Sequence, residues 1–236
     1  MASRDAYQKL CGLIADQGLK IMLKKEARRI TGGLSAPSKM PGPAYNLPAV
    51  NCLTGSKLVQ IAGSVCAGCY ALKGRYHFSN VKAALARRLA SLGHPDWIAA
   101  MTVLIKGEPV FRWHDSGDLQ SVEHLKAIFE VCKNTAETRH WLPTREARFL
   151  RLMDHEVIPK NLLIRFSSHM VNQGPVSWWP WTSTVVAPRP FWKLGLWFNK
   201  LFRIKGKCFA SIQGNKCLSC RACWSRKVKH VTYPKH

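Results

Sequence analysis

The sequence is poor in acidic residues. It has 13 Asp and Glu against 36 Lys and Arg, which gives a formal net charge of +23 over 236 residues. This excess is larger than solubility requires, and a field of this sign attracts polyanions, so nucleic acid is the expected partner. The alternative is a basic surface that binds RNA or DNA without a specific target.

The sequence also lacks the marks of membrane and secreted proteins. No apolar run approaches the ~18 residues that a membrane span requires. The first ten residues, MASRDAYQKL, lack the charged-then-apolar order of a signal peptide. No internal repeat or low-complexity tract occurs, and the hydrophobic content of 47% is ordinary for a globular chain. We therefore expect a soluble cytoplasmic protein without a membrane span; the sequence leaves its oligomeric state open.

Strand-like and helical segments alternate along the chain. The strand-like segments are 109–115, 139–144, 161–170 and 182–187, and the helical ones are 79–92, 95–106, 121–133 and 145–155. Such alternation implies parallel pairing and predicts an α/β sheet or barrel. We expect one domain in three parts: a basic N-terminal helix (1–34), an α/β barrel-like core (35–200) and a cysteine-rich segment packed on that core (201–236).

The predicted strands carry polar residues at alternate positions. Parallel strands covered on both sides are normally almost wholly apolar. The simplest explanation is a sheet whose outer side packs against helices and whose inner side lines a polar cavity, which in a barrel holds a ligand. The alternative is an open sheet with one solvated side. The residues expected on the inner side are Arg112, His114, His140, Thr144, Arg165, Ser167 and His169.

Nine cysteines are many for a chain without secretory features, and they indicate metal binding over disulfides. Two sets stand out. The front cysteines, with the spacing C-x13-C-x2-C, are Cys52, Cys66 and Cys69. The rear cysteines, with the spacing C-x8-C-x2-C-x2-C, are Cys208, Cys217, Cys220 and Cys223. Cys11 and Cys132 fall on apolar helix stripes and are expected to be packing residues.

The spacing favours an iron–sulfur cluster over zinc. Three cysteines at successive x2 spacing suit the separate corners of an iron–sulfur cube better than one tetrahedral zinc ion, so the rear cysteines predict a fully ligated four-iron cluster. The front cysteines would leave one iron of a second cube without a protein ligand, open to a small molecule. Two alternatives remain: structural zinc, with Cys208 completing the front set, or one mixed site built from both sets.

Further polar residues follow the predicted strands, where α/β folds keep their chemistry. In RWHDSGDLQS (112–121), His114 and Asp115 are candidates for an acid/base pair, and Asp118 is a candidate that also suits a helix cap. In LPTRE (142–146), Arg145 is a candidate for gripping a phosphate or carboxylate. The residues expected to bind substrate are Arg112, Thr144, Arg165, Ser167 and His169. The tryptophan-rich stretch 177–198 is a candidate for stacking on nucleobases or for core packing.

In combination, several motifs resemble a known family. MPGPAYNLPA, CAGCYALKGRYHF, FRWHDSGD, HWLPTR and CLSCRACWSRKV are similar to the bacteriophage "gene product eighty-eight" family, from about residue 38 onward. The CYA motif, a strand ending in Ser and Asp, and a strand ending in Thr and Arg also resemble radical-SAM-like proteins. Three features differ from the usual radical SAM pattern. The gap between the first two front cysteines is thirteen residues, Tyr70 follows the last front cysteine, and no Gly-Gly-Glu stretch is present.

The radical-SAM-like resemblance implies a partial or complete (β/α) barrel. In it the front cysteines would hold a four-iron cluster that binds S-adenosylmethionine, and the rear cysteines would hold an auxiliary cluster. It also implies an electron donor, and the phage resemblance implies the host cytoplasm.

We therefore expect a radical-SAM-like iron–sulfur enzyme that modifies nucleic acid. The alternatives are a non-catalytic nucleic-acid-binding protein stabilised by zinc or a cluster, and a zinc-containing nucleotide-modifying transferase in which Asp115 is nucleophile or base.

Overall fold

The computed structural model describes residues 22–187 and 206–235. Within these ranges the strands are β1 (Ala44–Tyr45), β2 (Val110–Trp113), β3 (Arg139–Thr144), β4 (Leu162–Ser167), β5 (Thr182–Val186) and β6 (His230–Pro234). The α-helices are α1 (Lys24–Thr31), α2 (Gly55–Leu58), α3 (Ser79–Ser91), α4 (Trp97–Ile105), α5 (Val122–Asn134) and α6 (Ala147–Arg151). Short 3-10 turns include Ala49–Asn51, Tyr70–Leu72, Gly74–His77, Ala210–Ile212 and Ala222–Trp224.

The six strands form one parallel sheet whose strand order is the chain order, from β1 to β6. Parallel neighbours connected in sequence by crossovers of one hand wind in one direction, as they do in (β/α) barrels. Here β1 and β6 lie at opposite edges, so the described sheet is open. The predicted α/β class with parallel strands is confirmed, and the sheet is not a closed barrel.

Two strands were not predicted from the sequence. β1 has only two residues and lies in the proline-rich stretch 35–51, where no strand pattern stands out. β6 lies in the basic C-terminal tail, where five residues give too little alternation to be recognised. Of the predicted N-terminal helix, α1 is described and ends at Gly32, whose φ of 75° stops it. Residues 1–21 of that prediction, and residues 188–198 of the tryptophan-rich stretch, lie outside the described residues.

The main hydrophobic core lies between the sheet and helices α4 and α5. Residues of these helices are spaced so that one face is apolar, and that face covers the strands. The fully buried members include Trp97, Met101, Phe111, Trp113, Leu125, Ile128 and Leu142. This side of the sheet is therefore closed to ligands. None of the described helices is both long and apolar enough to span a membrane.

Three predicted cavity residues lie instead on the helix-covered side, so that part of the prediction is wrong. His140 is paired in register with Phe111 and stacks on Trp113, with ring centroids 6.0 Å apart. Thr144 is in register with Phe166. His114 follows the end of β2 with a φ of 58°, which breaks the alternation of sides. Both sides of these strands carry large residues, so the alternation in the sequence did not show which residues face the helices. An offset of one residue exchanges the two sides.

The opposite, inner side contains Arg112, Trp141, Arg165 and Ser167, of which all but Trp141 were predicted there. The C-terminal segment covers it. The ring of Trp224 meets that of Trp141 edge-on at 5.1 Å, and its indole N–H donates to the backbone carbonyl of Phe111 at 2.9 Å. The inner side is therefore filled by protein at this point.

Candidate functional site

The loop between β1 and α3, residues 46–78, carries the front cysteines and crosses the carboxyl ends of three strands. At β4, Val65 donates its backbone N–H to the carbonyl of His169 at 2.8 Å. At β3, the backbone N–H of Thr54 donates to the Glu146 carboxylate at 2.7 Å. This is the sheet edge at which parallel α/β folds place their chemistry. The loop is fixed there by main-chain and carboxylate contacts.

The same loop is tied to β2 through Asp115. Tyr76 donates its hydroxyl to Oδ2 of Asp115 at 2.9 Å, and Tyr70 donates to the Asp115 backbone carbonyl. Arg112 forms an ion pair with Oδ1 at 3.1 Å, and Asn46 accepts from the Asp115 backbone N–H. Both carboxylate oxygens of Asp115 are thus engaged, which favours an anchoring role over that of a nucleophile.

The front cysteines lie close together. A Cβ atom built on Gly55 would stand 3.6 Å from the Sγ atoms of both Cys52 and Cys66, so these two sulfurs are at most twice that distance apart. Cys69 lies within electrostatic reach of both. Cys52 and Cys66, which thirteen residues separate in the sequence, are therefore neighbours in the fold.

Two of the front thiols, those of Cys52 and Cys66, are held in their neutral form. Burial raises the pKa of Cys52 and Cys66, and the nearby carboxylates of Asp118 and Glu146 raise it further. Arg145 acts in the opposite direction on the pKa of Cys66. A bound metal would invert this balance, because a cation favours the thiolate form of its ligands.

The rear cysteines line one cavity together. Its apolar wall includes Phe209, Trp224 and Val231, and Lys207 also borders it. Backbone hydrogen bonds fix the cysteines: Cys208 donates to the Thr232 carbonyl and Cys217 to the Lys39 carbonyl, both at 2.8 Å. Burial raises the pKa of Cys223 to about 11. The four rear cysteines therefore line one cavity that has few other polar side chains.

Neither set has the geometry of a single-ion site. Among residues 22–187 and 206–235, no three His, Cys, Asp or Glu side chains are arranged to hold one metal ion. A tetrahedral zinc ion, with bonds of ~2.3 Å, would bring its sulfurs to within about 4 Å of one another. Metal binding by either set therefore stays a prediction.

Asp118 is buried behind the front cysteines. Its Oδ1 accepts from the Thr144 hydroxyl at 2.6 Å and from the Leu119 backbone N–H, and its Oδ2 accepts from the Arg145 backbone N–H at 2.9 Å. Burial raises the pKa of Asp118 to about 6, against the effect of these hydrogen bonds. Thr144 thus orients a carboxyl group that can gain or lose a proton near neutral pH.

Arg145 brings positive charge to the front cysteines. Its Nε is buried and has no hydrogen-bond partner among the described residues, which identifies a donor directed away from bulk solvent. Half-buried His169 lies on the same side, with Nε2 3.4 Å from the Arg145 carbonyl. Asp118, Arg145 and His169 therefore lie near the front cysteines.

Comparison with known proteins gives a family match. The family model described as gene product 88 matches residues 20–226. The chain belongs to the gene product 88 family. This match confirms the resemblance found in the sequence motifs, and it spans both cysteine sets. Neither the curated proteins nor the solved structures gave a match.

In this gene product 88 chain, His114 does not join the site. It is buried on the helix-covered side, 5.2 Å from the ring of His124, and neither ring nitrogen has a hydrogen-bond partner among the described residues. Burial lowers the pKa of His114 well below its usual value. The expected acid/base pair with Asp115 is therefore not formed.

Arg165 and Ser167 are on the inner side but are used by the gene product 88 fold itself. The Arg165 guanidinium donates to six backbone carbonyls, at 2.7–3.4 Å; the acceptors are Thr182, Ala222, Cys223, Ser225, Val228 and Lys229. Ser167 shares a hydrogen bond with Ser183 at 2.9 Å. We therefore assign Arg165 a structural role in place of the predicted substrate-binding one.

Sequence reasoning missed several contributors to the site: Asn46, Gly55, Tyr76 and Glu146. Glu146 is fully buried and fixes the loop near Cys52. The only feature of the sequence that could have indicated Glu146 was its position directly after Arg145. Gly55 had no signal, because close approach of a backbone to a sulfur is visible only in three dimensions.

Proposed function

We propose that this protein is an iron–sulfur enzyme of radical-SAM-like type, with a four-iron cluster on the front cysteines and an auxiliary cluster on the rear cysteines. The observation that carries the proposal is the position of the front cysteines. They follow the first strand of a parallel sheet ordered in sequence, and they meet at its carboxyl edge. An enzyme of this type needs its open iron at the mouth of the sheet, where loops supply the remaining groups.

The arrangement of the thiols supports a cluster over zinc. A cube presents a separate iron corner to each thiolate, so its ligands need not converge on one point. This agrees with a cavity that all four rear cysteines line. The apolar wall of that cavity would exclude water from a cluster, which tunes its reduction potential.

When bound, a cluster with three protein ligands supplies an open iron for a sulfonium cofactor and one electron, taken from an electron donor, for its reductive cleavage. The protein groups around it have distinct tasks. Arg145 balances negative charge beside Cys66. Glu146 and Asp115 hold the loop rigid. Asp118, with a pKa of about 6, holds or releases a proton near the front cysteines.

Nucleic acid is the proposed substrate class, because the net charge of +23 favours a polyanion. The same charge favours a second candidate, a protein that binds nucleic acid without catalysis and uses metal only for stability. The zinc-dependent transferase has less support, since Asp115 is engaged by Arg112 and Tyr76.

The test is anaerobic purification followed by iron and sulfide analysis and electron paramagnetic resonance, with and without S-adenosylmethionine. We expect about eight irons per chain for two clusters, and a spectral change on adding the cofactor. A triple variant Cys52→Ser, Cys66→Ser and Cys69→Ser should keep about half of the iron and lose the cofactor response.

The control is Cys132→Ala, which removes a buried thiol from the hydrophobic core and should leave the iron content unchanged. A colourless protein with stoichiometric zinc would contradict the proposal. If the triple variant kept its full iron content, the front cysteines would not be cluster ligands.

A further inference from the structure

The segment that follows the front cysteines, residues 70–78, has a basic and aromatic surface. Its sequence is YALKGRYHF. Lys73, Arg75 and His77 are exposed, and so are Tyr70 (45%) and Phe78 (58%). We name these five residues the 70–78 surface. Positive charge interleaved with exposed rings is the combination that binds unpaired nucleotides.

No acidic residue competes with this charge nearby in the sequence. The chain has no Asp or Glu between Glu26 and Asp96, and the 70–78 surface lies within that interval. The carboxylate that approaches the segment most closely is that of Asp115, and it is engaged by Arg112 and Tyr76. Among residues 22–187 and 206–235, no ion pair neutralises Lys73 or Arg75, and this exposed charge favours a polyanion.

The segment is held in place beside the site. The hydroxyls of Tyr70 and Tyr76 bond to Asp115 at the end of β2, so the chain between them is anchored at both ends. The Tyr70 side chain is partly exposed, and the rings of Tyr70 and Tyr76 meet edge-on at 6.0 Å. A rigid platform loses little conformational entropy on binding.

We infer that the 70–78 surface binds single-stranded nucleic acid and leads it to the carboxyl edge of the sheet, where the front cysteines lie. Lys73 and Arg75 contact phosphates, and Tyr70 and Phe78 stack on bases. Unpaired strands are the favoured ligand because the bases of a duplex are already stacked and do not expose their faces to protein rings. The inference rests on the proposed function and narrows its substrate class to unpaired strands, but binding itself does not require catalysis.

The test is fluorescence anisotropy of the full-length, anaerobically purified protein with a labelled 20-nucleotide single strand and with its duplex. We expect the single strand to bind at least about fivefold more tightly, which corresponds to one stacked base. A double variant Lys73→Gln and Arg75→Gln should weaken binding at low salt about tenfold or more. It should also reduce the slope of log affinity against log salt by about 1.4, from two lost phosphate contacts on a single strand.

A matched control removes two exposed charges from the opposite edge of the sheet. Lys106 precedes β2 and Arg139 begins β3, so Lys106→Gln with Arg139→Gln should change affinity less than about threefold. Phe78→Ala tests stacking separately: affinity for the single strand should fall at least about fivefold, with the salt slope unchanged. Equal binding of duplex and single strand, or equal loss in the two double variants, would overturn the inference.

Iron and sulfide are measured on the same preparations. An iron-containing protein whose binding ignores the 70–78 surface would refute this inference and leave the proposed cluster standing. A protein without iron that binds through Lys73 and Arg75 would support this inference and refute the proposed cluster.

Discussion

Gly55 occupies a position where a side chain would displace a front cysteine. A Cβ atom there would stand only 2.8 Å from the Cβ of Cys52, which is closer than packed carbon atoms approach. Gly68, in the same loop, has open space around the corresponding position. The two glycines thus form a matched pair in which one methyl group is disruptive and the other is not.

We predict that Gly55→Ala lowers the iron content of the anaerobic protein by up to about half, the share of the front cluster, and reduces the free energy of unfolding by about 1–3 kcal/mol, the cost of overpacking. Gly68→Ala should change the free energy of unfolding by less than about 0.5 kcal/mol and leave the iron unchanged. Metal analysis and urea unfolding measure both effects. Equal iron in the two variants would mean that the position of Cys52 does not matter for metal.

At the scale of elements, one side chain joins the C-terminal segment to the sheet. Arg165 on β4 is fully buried, and most of its acceptors lie between Ala222 and Lys229. Its planar guanidinium can serve several carbonyls at once, whereas a lysine ammonium is a single point with three donors. The rear cysteines depend on this contact for their position, because Cys223 is itself one of the acceptors.

We predict that Arg165→Lys reduces the free energy of unfolding by about 2–4 kcal/mol, since buried carbonyls lose their donors. Limited proteolysis should then cut the C-terminal segment before the core. Arg139→Lys, at the exposed first residue of β3, is the control and should change stability by less than about 0.5 kcal/mol. Unchanged proteolysis in Arg165→Lys would show that the segment docks by other contacts.

At the scale of the whole molecule, the open parallel sheet separates two chemical environments. The helix-covered side is dry and contains three buried histidines: His114, His124 and His140. The inner side and carboxyl edge contain the cysteines, with Arg112 within electrostatic reach of both Tyr70 and Cys223. This division explains why polar residues on adjacent strands have different roles.

The buried histidines on the helix-covered side of the sheet predict a loss of stability in mild acid. Burial lowers the pKa of His124 to about 4 and of His140 to about 3, and it also lowers that of His114. Below about pH 6.5 the unfolded chain binds protons that the folded protein cannot, so stability falls with falling pH until these folded-state pKa values are reached. Each histidine contributes about 1.4 kcal/mol per pH unit, and the raised pKa of Asp118 offsets about one of them below pH 6.

We therefore expect the free energy of unfolding to fall by about 3 kcal/mol or more between pH 7 and pH 5, measured by urea unfolding at each pH. His124→Phe should make this dependence shallower. His94→Asn changes a histidine outside the buried cluster and should leave the dependence as it is in the unchanged protein. A stability that is flat across this range would show that the histidines are not buried in solution.

The sequence predicted the α/β class, most helix and strand bounds and the two cysteine sets, because these depend on local periodicity and spacing. It failed on which side of the sheet His114, His140 and Thr144 lie. Those strands carry large side chains on both faces, and only the pairing register decides which residues face the helices. It also missed Gly55 and Glu146.

By itself the sequence determined composition, charge, periodicity and the identity of the thiols, since each is a property of neighbouring residues. Only the tertiary structure decided that Cys52 meets Cys66, that Arg165 holds the C-terminal segment, and that Asp115 anchors a loop. These contacts join residues far apart in the chain, and their energies depend on burial and distance, which exist only once the sheet has formed.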